Sequence, residues 1–280
     1  SQTVHDFSCM LELGVGGCGF EQPLVSDPGL PPLLELKALP MTSQGPSPVI
    51  GMKPGLGQPI NAGYAGIYNN LGIPTAYFVG FTVLAASVIA LSKDNLKARL
   101  AYSTVSQLSY IIMGVALLTA PGIQGGLIHI VNHGFSKITL FFCAGAIYVA
   151  SHKKNISEME GLGKTMPWTF ACFGIASLSM IGAPPVAGFI TKWNLLIGSV
   201  EAHQLGILLI LIASTMLNAA YFAPVTYRAF FGKRPAGEPF TGIKEAPLSM
   251  LIPIVIATVI SVLIGIFPNF MMQFVKAVTG

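Results

Sequence analysis

The sequence predicts an all-α membrane protein with about six transmembrane helices and an irregular N-terminal segment. Hydrophobic side chains make up 52% of its 280 residues and charged side chains only 9%, which is too apolar for an ordinary soluble domain. Apolar stretches recur that can cross a hydrocarbon core of about 30 Å, each needing about 20 residues as a helix. Basic residues gather in every second connection between these stretches.

The chain divides near residue 72 into two parts of different character. Residues 1–72 are rich in Gly and Pro and keep no helical or strand period, so we expect a loop or a disordered segment. Cys9 and Cys18 match no metal-binding spacing there and could pair in an oxidising compartment. Residues 73–280 form the predicted transmembrane domain, with spans at 74–92, 100–118, 123–150, 167–200, 205–231 and 247–275.

The distribution of Lys and Arg predicts the topology. Cytoplasmic connections carry the excess of Lys and Arg, and successive connections alternate between sides. One face here has only Lys276, so we assign the other face to the cytoplasm of a multi-pass protein in the cell (inner) membrane. The net charge of +4 reflects this topology rather than nucleic-acid binding, since no basic stripe with interleaved aromatic residues occurs. The basic residues of the cytoplasmic face are Lys93, Lys97, Arg99, Lys153, Lys154, Lys164, Arg228, Lys233, Arg234 and Lys244.

The third span contains ionisable residues that are costly inside a membrane. His129, His133 and Lys137 are spaced i, i+4 and i+8, which places them on one helix face. Histidine titrates near neutral pH, and loss of hydration favours the neutral form of an amine, so such a row can pass protons along. The alternative is a pair of histidines bonded between helices and a lysine that extends to the membrane interface.

The fourth span is too long for one straight crossing, because residues 167–200 would measure about 50 Å as a continuous helix. We expect a discontinuous helix around 182–188, where Pro184 and Pro185 lie between Gly182 and Gly188. Lys192 follows one to two turns later, so its ammonium group would lie beside a polar gap. The alternative is a structural proline kink with an incidental lysine.

Acidic residues are missing from the interior of all six predicted spans. The proton carriers must therefore be basic. A protonated lysine cannot coordinate a cation, which argues against a direct sodium site, and we expect no metal site and no cofactor in this chain.

Three ordered motifs carry a family resemblance: KDNLKARLAYSTVSQLSYI from Lys93, HIVNHGFSK from His129 leading into LFFCAGAI, and GAPPVAGFITKW from Gly182. Together they resemble the proton-conducting antiporter-like family shared by respiratory complex I membrane subunits, Mrp-type cation/proton antiporters and membrane-bound hydrogenases. The resemblance covers residues 74–275. The Thr191–Lys192–Trp193 variant and the GLGKTMP lead-in are most similar to the D-type subunits of the Mrp antiporters or their hydrogenase relatives.

This resemblance implies a central hydrophilic axis made of Lys97, the third-span row and Lys192 as the terminal proton carrier. It also implies other membrane subunits as partners, with a coupled sodium ion left open. Family members carry an earlier, inverted half-repeat with a glutamate–lysine pair that this sequence lacks, so we expect only the second half of such a subunit. The residues implied to line the water path are Tyr102, Ser103, Ser106 and Gln107.

The sequence therefore favours a proton-translocating membrane subunit. Residues 73–280 contain no GxGxxG motif, and no CxxC or Walker-type loop occurs in the chain, so any NADH or quinone chemistry would belong to the assembly rather than to this polypeptide. A non-conducting membrane scaffold is the alternative. An independent solute carrier is disfavoured, because the spans offer no acidic or aromatic cluster for an organic substrate.

Overall fold

The computed structural model describes residues 67–233 and 242–279. A π-helical turn, Tyr68–Gly72, leads into the first helix, and two 3₁₀ turns, Ile156–Glu158 and Leu162–Lys164, follow the third. The N-terminal segment up to residue 66, with Cys9 and Cys18, lies outside the described residues. The helices are α1 (Ile73–Ser92), α2 (Leu96–Ala116), α3 (Ala120–Ser151), α4 (Pro167–Ile181), α5 (Gly188–Glu201), α6 (Leu205–Phe231), α7 (Leu248–Ile266) and α8 (Pro268–Thr279).

The prediction of an all-α membrane protein is confirmed. Helices α1, α3, α6 and α7 are long and apolar enough to cross a membrane. Helix α2 is also 21 residues long but more polar, and α4 is a shorter apolar helix. The sixth predicted span, 247–275, was drawn too long, because α7 ends at Ile266 and Pro268 begins α8. Proline lacks the backbone donor that would continue a helix and clashes with the preceding turn.

The predicted discontinuity in the fourth span is also confirmed, because α4 ends at Ile181 and α5 begins at Gly188. Gly182 has a φ of +89°, a left-handed conformation that glycine adopts without steric cost. The backbone N–H of Gly182 donates to the Ser179 oxygen at 3.2 Å, and that of Ala183 to the Leu178 oxygen at 3.1 Å. These bonds form a Schellman motif, which closes α4 before Pro184.

Helix α3 lies at the centre of the bundle and contacts α2, α4, α5, α7 and α8. The Thr119 hydroxyl caps its N-terminus by accepting from the Gly122 N–H at 3.3 Å. Gly125 faces α5 so closely that an added Cβ atom would lie 3.1 Å from Leu195. Small residues on α3 therefore allow the two helix backbones to approach each other.

The connections that carry the basic residues meet at one end of the bundle. The Leu96 N–H donates to the Lys154 oxygen at 3.1 Å, and the Lys244 N–H to the Thr165 oxygen at 2.9 Å. At the opposite end, the Thr119 hydroxyl donates to the Gly198 oxygen at 3.3 Å. The segregation of charge seen in the sequence is thus a property of the folded chain, and we call the first end the basic end.

Glu245 joins the connection before α7 to the start of α4. Its carboxylate accepts from the Trp168 N–H and from the Thr169 hydroxyl, each at 2.7 Å. We expect Glu245→Ala to destabilise the fold by about 1–2 kcal/mol, because a free N–H and a buried hydroxyl lose their acceptor.

The measurement is thermal unfolding of the purified protein in detergent, where this change corresponds to a lower apparent melting temperature. Glu201→Ala is the matched control, since Glu201 is an exposed carboxylate at the C-terminal end of α5, where a negative charge is unfavourable. Equal melting temperatures for the two variants would contradict the capping role of Glu245.

Candidate functional site

The row predicted on the third span lies in the interior of the bundle. His129, His133 and Lys137 are only 3%, 8% and 5% exposed. Asn132 and Ser136 are buried beside them on the same helix. The side chains that the sequence placed on one face of a helix therefore all point toward neighbouring helices rather than toward lipid.

The ammonium group of Lys137 is held by α2. Its Nζ atom donates hydrogen bonds to the main-chain oxygen of Leu100, at 3.2 Å, and to the Ser103 hydroxyl. The ring of Phe222 lies 5.5 Å from the same atom, within the range of cation–π attraction. Two oxygen acceptors and one aromatic face thus replace bulk water around Lys137.

Lys192 reaches from α5 back to the end of α4. Its Nζ atom donates to the Ile181 main-chain oxygen at 2.7 Å and to the Thr215 hydroxyl at 3.3 Å. Carbonyl groups in the last turn of a helix have no partner within the helix and carry partial negative charge. The break between α4 and α5 therefore supplies an acceptor that a continuous helix would use internally.

Tyr110 of α2 stands between Lys192 and the two histidines. The centroid of its ring is 5.5 Å from Lys192 Nζ and 5.7 Å from the centroid of the His129 ring. The rings of His129 and His133 are also 5.7 Å apart, and Lys137 follows His133 by about one turn of α3. We call Lys192, Tyr110, His129, His133 and Lys137 together the buried row.

Several polar atoms along the buried row have no hydrogen-bond partner among residues 67–233 and 242–279. They are both ring nitrogens of His129, Nε2 of His133 and Oε1 of Gln107. Buried polar atoms in proteins are nearly always paired with protein or with water. The middle of the row therefore retains hydrogen-bonding capacity that neighbouring side chains do not use.

Tyr110 also begins a hydrogen-bond chain that the sequence did not reveal. Its hydroxyl donates to the Ser214 hydroxyl at 2.6 Å and accepts from the Asn218 amide at 3.4 Å. The Tyr221 hydroxyl in turn donates to the Asn218 side-chain oxygen. Two signals could have found these residues: Asn218 is an amide inside an apolar span, and Tyr110 shares a helix face with Ser103.

A second hydrogen-bond chain joins α3 to the two pieces of the broken helix and to α7. Asn132 donates to the Thr191 hydroxyl at 3.4 Å and accepts from the Ser179 hydroxyl at 3.1 Å. Ser136 donates to Ser179 at 2.9 Å and lies 3.3 Å from the Ser261 hydroxyl. The polar residues around the buried row thus connect four segments of the bundle.

The residues expected to line a water path on α2 separate into two groups. Ser103, Ser106 and Gln107 are fully buried, and Gln107 donates to the Met180 oxygen at 3.5 Å. Tyr102 is 37% exposed, and the ammonium of Lys93 lies 5.5 Å from its ring centroid. Tyr102 lies on a different face of α2, because one residue along the helix rotates it by about 100° from Ser103. A role of all four residues in guiding water stays a prediction.

Lys97 also lies outside the buried row, although it was expected on the same axis. Its side chain is exposed, and its Nζ atom is 5.3 Å from the centroid of the Tyr148 ring, at the basic end. Helix geometry gives the reason, because six residues along α2 rotate Lys97 by about 120° from Ser103. A proton-transfer role of Lys97 stays a prediction.

Carboxylates do not reach the buried row in the part of the chain that the structure describes. Asp94, Glu158, Glu160, Glu201 and Glu245 all lie in connections or at helix ends. No group of three or more His, Cys, Asp and Glu residues that could hold a metal ion occurs among the described residues. The titratable groups of the interior are thus lysine, histidine, tyrosine and cysteine.

Comparison with known proteins shows the family. Residues 63–218 match the family described as "NADH:quinone oxidoreductase/Mrp antiporter, TM". The chain belongs to this family.

NADH-quinone oxidoreductase subunit N of Desulforudis audaxviator is 34% identical over 208 residues, which is 69% of this chain and 42% of that protein. F(420)H(2) dehydrogenase subunit L of Methanosarcina mazei is 32% identical over 204 residues, covering 68% and 30% respectively. The chain spans less than half the length of these relatives.

Solved structures show the same fold. The Mrp complex from Dietzia aligns with a TM-score of 0.67 and 21% identity over 78% of this chain and 51% of that one. The membrane-bound sulfane sulfur reductase, an archaeal respiratory membrane complex, aligns with a TM-score of 0.64 and 28% identity over 69% of this chain and 32% of that one. Both similar chains are parts of membrane complexes.

The absence of a side chain at Gly182 leaves the space through which Lys192 reaches the end of α4. A Cβ atom at Gly182 would lie 2.6 Å from Cδ of Lys192, and the φ of +89° disfavours any other residue. We expect Gly182→Ala to lower the stability by about 1–3 kcal/mol and to displace the Lys192 side chain.

Gly134→Ala is the control for this change. Gly134 is helical, and a Cβ atom there would meet nothing within 4 Å, so we expect a gain of about 0.5–1 kcal/mol. The apparent melting temperatures of both variants in detergent check the pair. A Gly182→Ala protein as stable as the wild type would show that the left-handed turn is not needed.

Proposed function

We propose that this chain is a proton-translocating membrane subunit of a multisubunit respiratory, hydrogenase or cation/proton antiporter complex. The observation that carries the proposal is the buried row: two lysines that take part in no described ion pair, joined by histidines and a tyrosine inside a membrane bundle. Charged amines at such a depth are costly and mark ion pathways in membrane proteins. The membership of the family that includes Mrp antiporters agrees with this chemistry.

The surroundings of both lysines suit an amine that alternates between two protonation states. Each ammonium group donates to one main-chain oxygen and one hydroxyl, Leu100 and Ser103 for Lys137, Ile181 and Thr215 for Lys192. Oxygen acceptors stabilise the charged form without the fixed negative charge that would hold the proton permanently. A neutral amine can remain in the same place, since a hydroxyl can also donate to its lone pair.

The middle of the row suits proton transfer between the lysines. His129 has two unpaired ring nitrogens among the described contacts, and His133 has one. Imidazole can accept a proton at one nitrogen and release one from the other. Water molecules that satisfy these nitrogens would connect the separated rings into one path.

The proposal includes partners and orientation. The similar proteins are subunits of NADH-quinone oxidoreductase and F(420)H(2) dehydrogenase, so we propose other membrane subunits as partners of this chain. We further propose that it resides in the cell (inner) membrane with the basic end in the cytoplasm, following the preference of Lys and Arg for that side. A coupled sodium ion would make proton translocation depend on the sodium concentration, which the transport assay described next can measure.

Substitution of Lys192 tests the proposed path. Lys192→Met removes the amine but keeps the length of the side chain, and Lys192→Arg keeps the charge but cannot release a proton at physiological pH. We expect both variants to reduce proton translocation at least about tenfold, in line with the loss of one proton-transferring group. The measurement is pH-dye quenching in inverted membrane vesicles that contain the assembled complex.

Lys276→Met is the control, because Lys276 is an exposed lysine in the last turn of α8. Recovery of the complex with all its subunits shows that the variants assemble. If the chain is only a non-conducting scaffold, the assembled Lys192→Met complex should translocate protons as the wild type does. That result would overturn the proposal. Activity retained by Lys192→Arg alone would show that the charge, rather than proton release, is what Lys192 supplies.

A further inference from the structure

A second polar feature lies at the basic end, separate from the buried row. It is a pocket of about 280 Å³ between the start of α2, the C-terminal half of α3 and the connection that follows α3. Its lining residues are Asn95, Leu96, Lys97, Ala144, Tyr148, Lys153, Lys154 and Met159. A volume of this size admits a small polar group but is too small for a cofactor.

Positive charge converges on this pocket. Lys97 and Lys154 come from different segments, yet their Nζ atoms lie 5.3 and 5.0 Å from the centroid of the same Tyr148 ring. Lys153 also lines the pocket. Like charges gathered at one aromatic ring repel each other, and an anion between them converts that repulsion into attraction. The pocket thus has the charge of an anion-binding site.

The carboxylates of the neighbouring connections are engaged in holding the backbone. Glu158 accepts from the backbone N–H of Asn155 at 3.1 Å and of Lys154 at 3.3 Å, and these bonds lower the pKa of its carboxyl group. Asp94 accepts from the Ser157 N–H at 3.1 Å and from its hydroxyl at 2.6 Å. Both acids therefore hold in place the connection that follows α3, which carries Lys153 and Lys154.

An apolar strip continues from the pocket along α2. Ala101, Val105, Leu108 and Ile112 lie on the same helix face as Lys97, at spacings of three and four residues. The last three of these are 48%, 45% and 53% exposed. The strip begins at the basic end and runs along most of α2, because Ile112 lies four residues before the end of the helix at Ala116. A ligand that fits both features has an anionic head and hydrocarbon chains.

We propose that this pocket binds the phosphate head group of an anionic phospholipid, with the acyl chains along the strip on α2. Lys97 and Lys154 contact the phosphate, and Tyr148 forms the floor between them. Basic pockets between transmembrane helices are suited to such head groups. The inference does not depend on the proposed proton path, and it gives Lys97 a role that agrees with its place outside the buried row.

Binding is tested with the purified full chain in neutral detergent. The probes are short-chain phosphatidylglycerol, phosphatidylcholine with the same acyl chains, and inorganic phosphate, titrated against the apparent melting temperature. We expect a saturable rise with phosphatidylglycerol alone. Lys154→Gln should weaken its apparent Kd about fivefold, and Lys97→Gln combined with Lys154→Gln about 30-fold.

Lys164→Gln is the matched control, because Lys164 is exposed in the same connection but does not line the pocket, and its binding should equal that of the wild type. Lys154 lies in an exposed connection, so its single variant tests the site even where the double variant is not recovered. If Lys164→Gln weakened phosphatidylglycerol binding as much as Lys154→Gln, the effect would come from general surface charge, and the proposal would be overturned. Equal stabilisation by inorganic phosphate or by phosphatidylcholine would likewise exclude an anionic-lipid site.

Discussion

The interior of this protein depends on main-chain oxygens that replace water around buried ammonium groups. Lys137 is bonded to the oxygen of Leu100 and Lys192 to that of Ile181. An amine without such partners would cost several kcal/mol inside a membrane. The positions of both lysines are therefore linked to the backbone of a neighbouring segment, and the rest of the bundle must hold those segments in register.

The fold meets this requirement by different means at the two lysines. For Lys192, the chain breaks a helix: Gly182 turns the backbone into the left-handed region, and the last carbonyl of α4 becomes available. For Lys137, the helix stays intact, and the Ser103 hydroxyl supplements a carbonyl that also belongs to the α-helical ladder. The hydroxyl chain through Ser136 and Ser179 then joins α3 to α4, so the two sites are parts of one polar interior.

The two ends of the bundle have different chemistry. At the basic end, cations meet aromatic rings and backbone-bonded acids, as at Tyr148 and Glu158. At the opposite end, connections are short and close through hydroxyl and amide contacts such as that of Thr119 with Gly198. This asymmetry separates the exposed lysines of the connections from the buried Lys137 and Lys192.

The sequence by itself determined the membrane class, the gathering of basic residues in alternate connections, the break near Gly182 and the shared face of His129, His133 and Lys137. All of these follow from local rules, namely hydropathy over a span, the φ preferences of Gly and Pro, and the 3.6-residue period. Only the tertiary structure decided that Tyr110 stands between Lys192 and His129, and that Lys97 and Tyr102 lie outside the buried row. A helical period shows which residues share a face, but which face turns inward depends on the helices that pack around it.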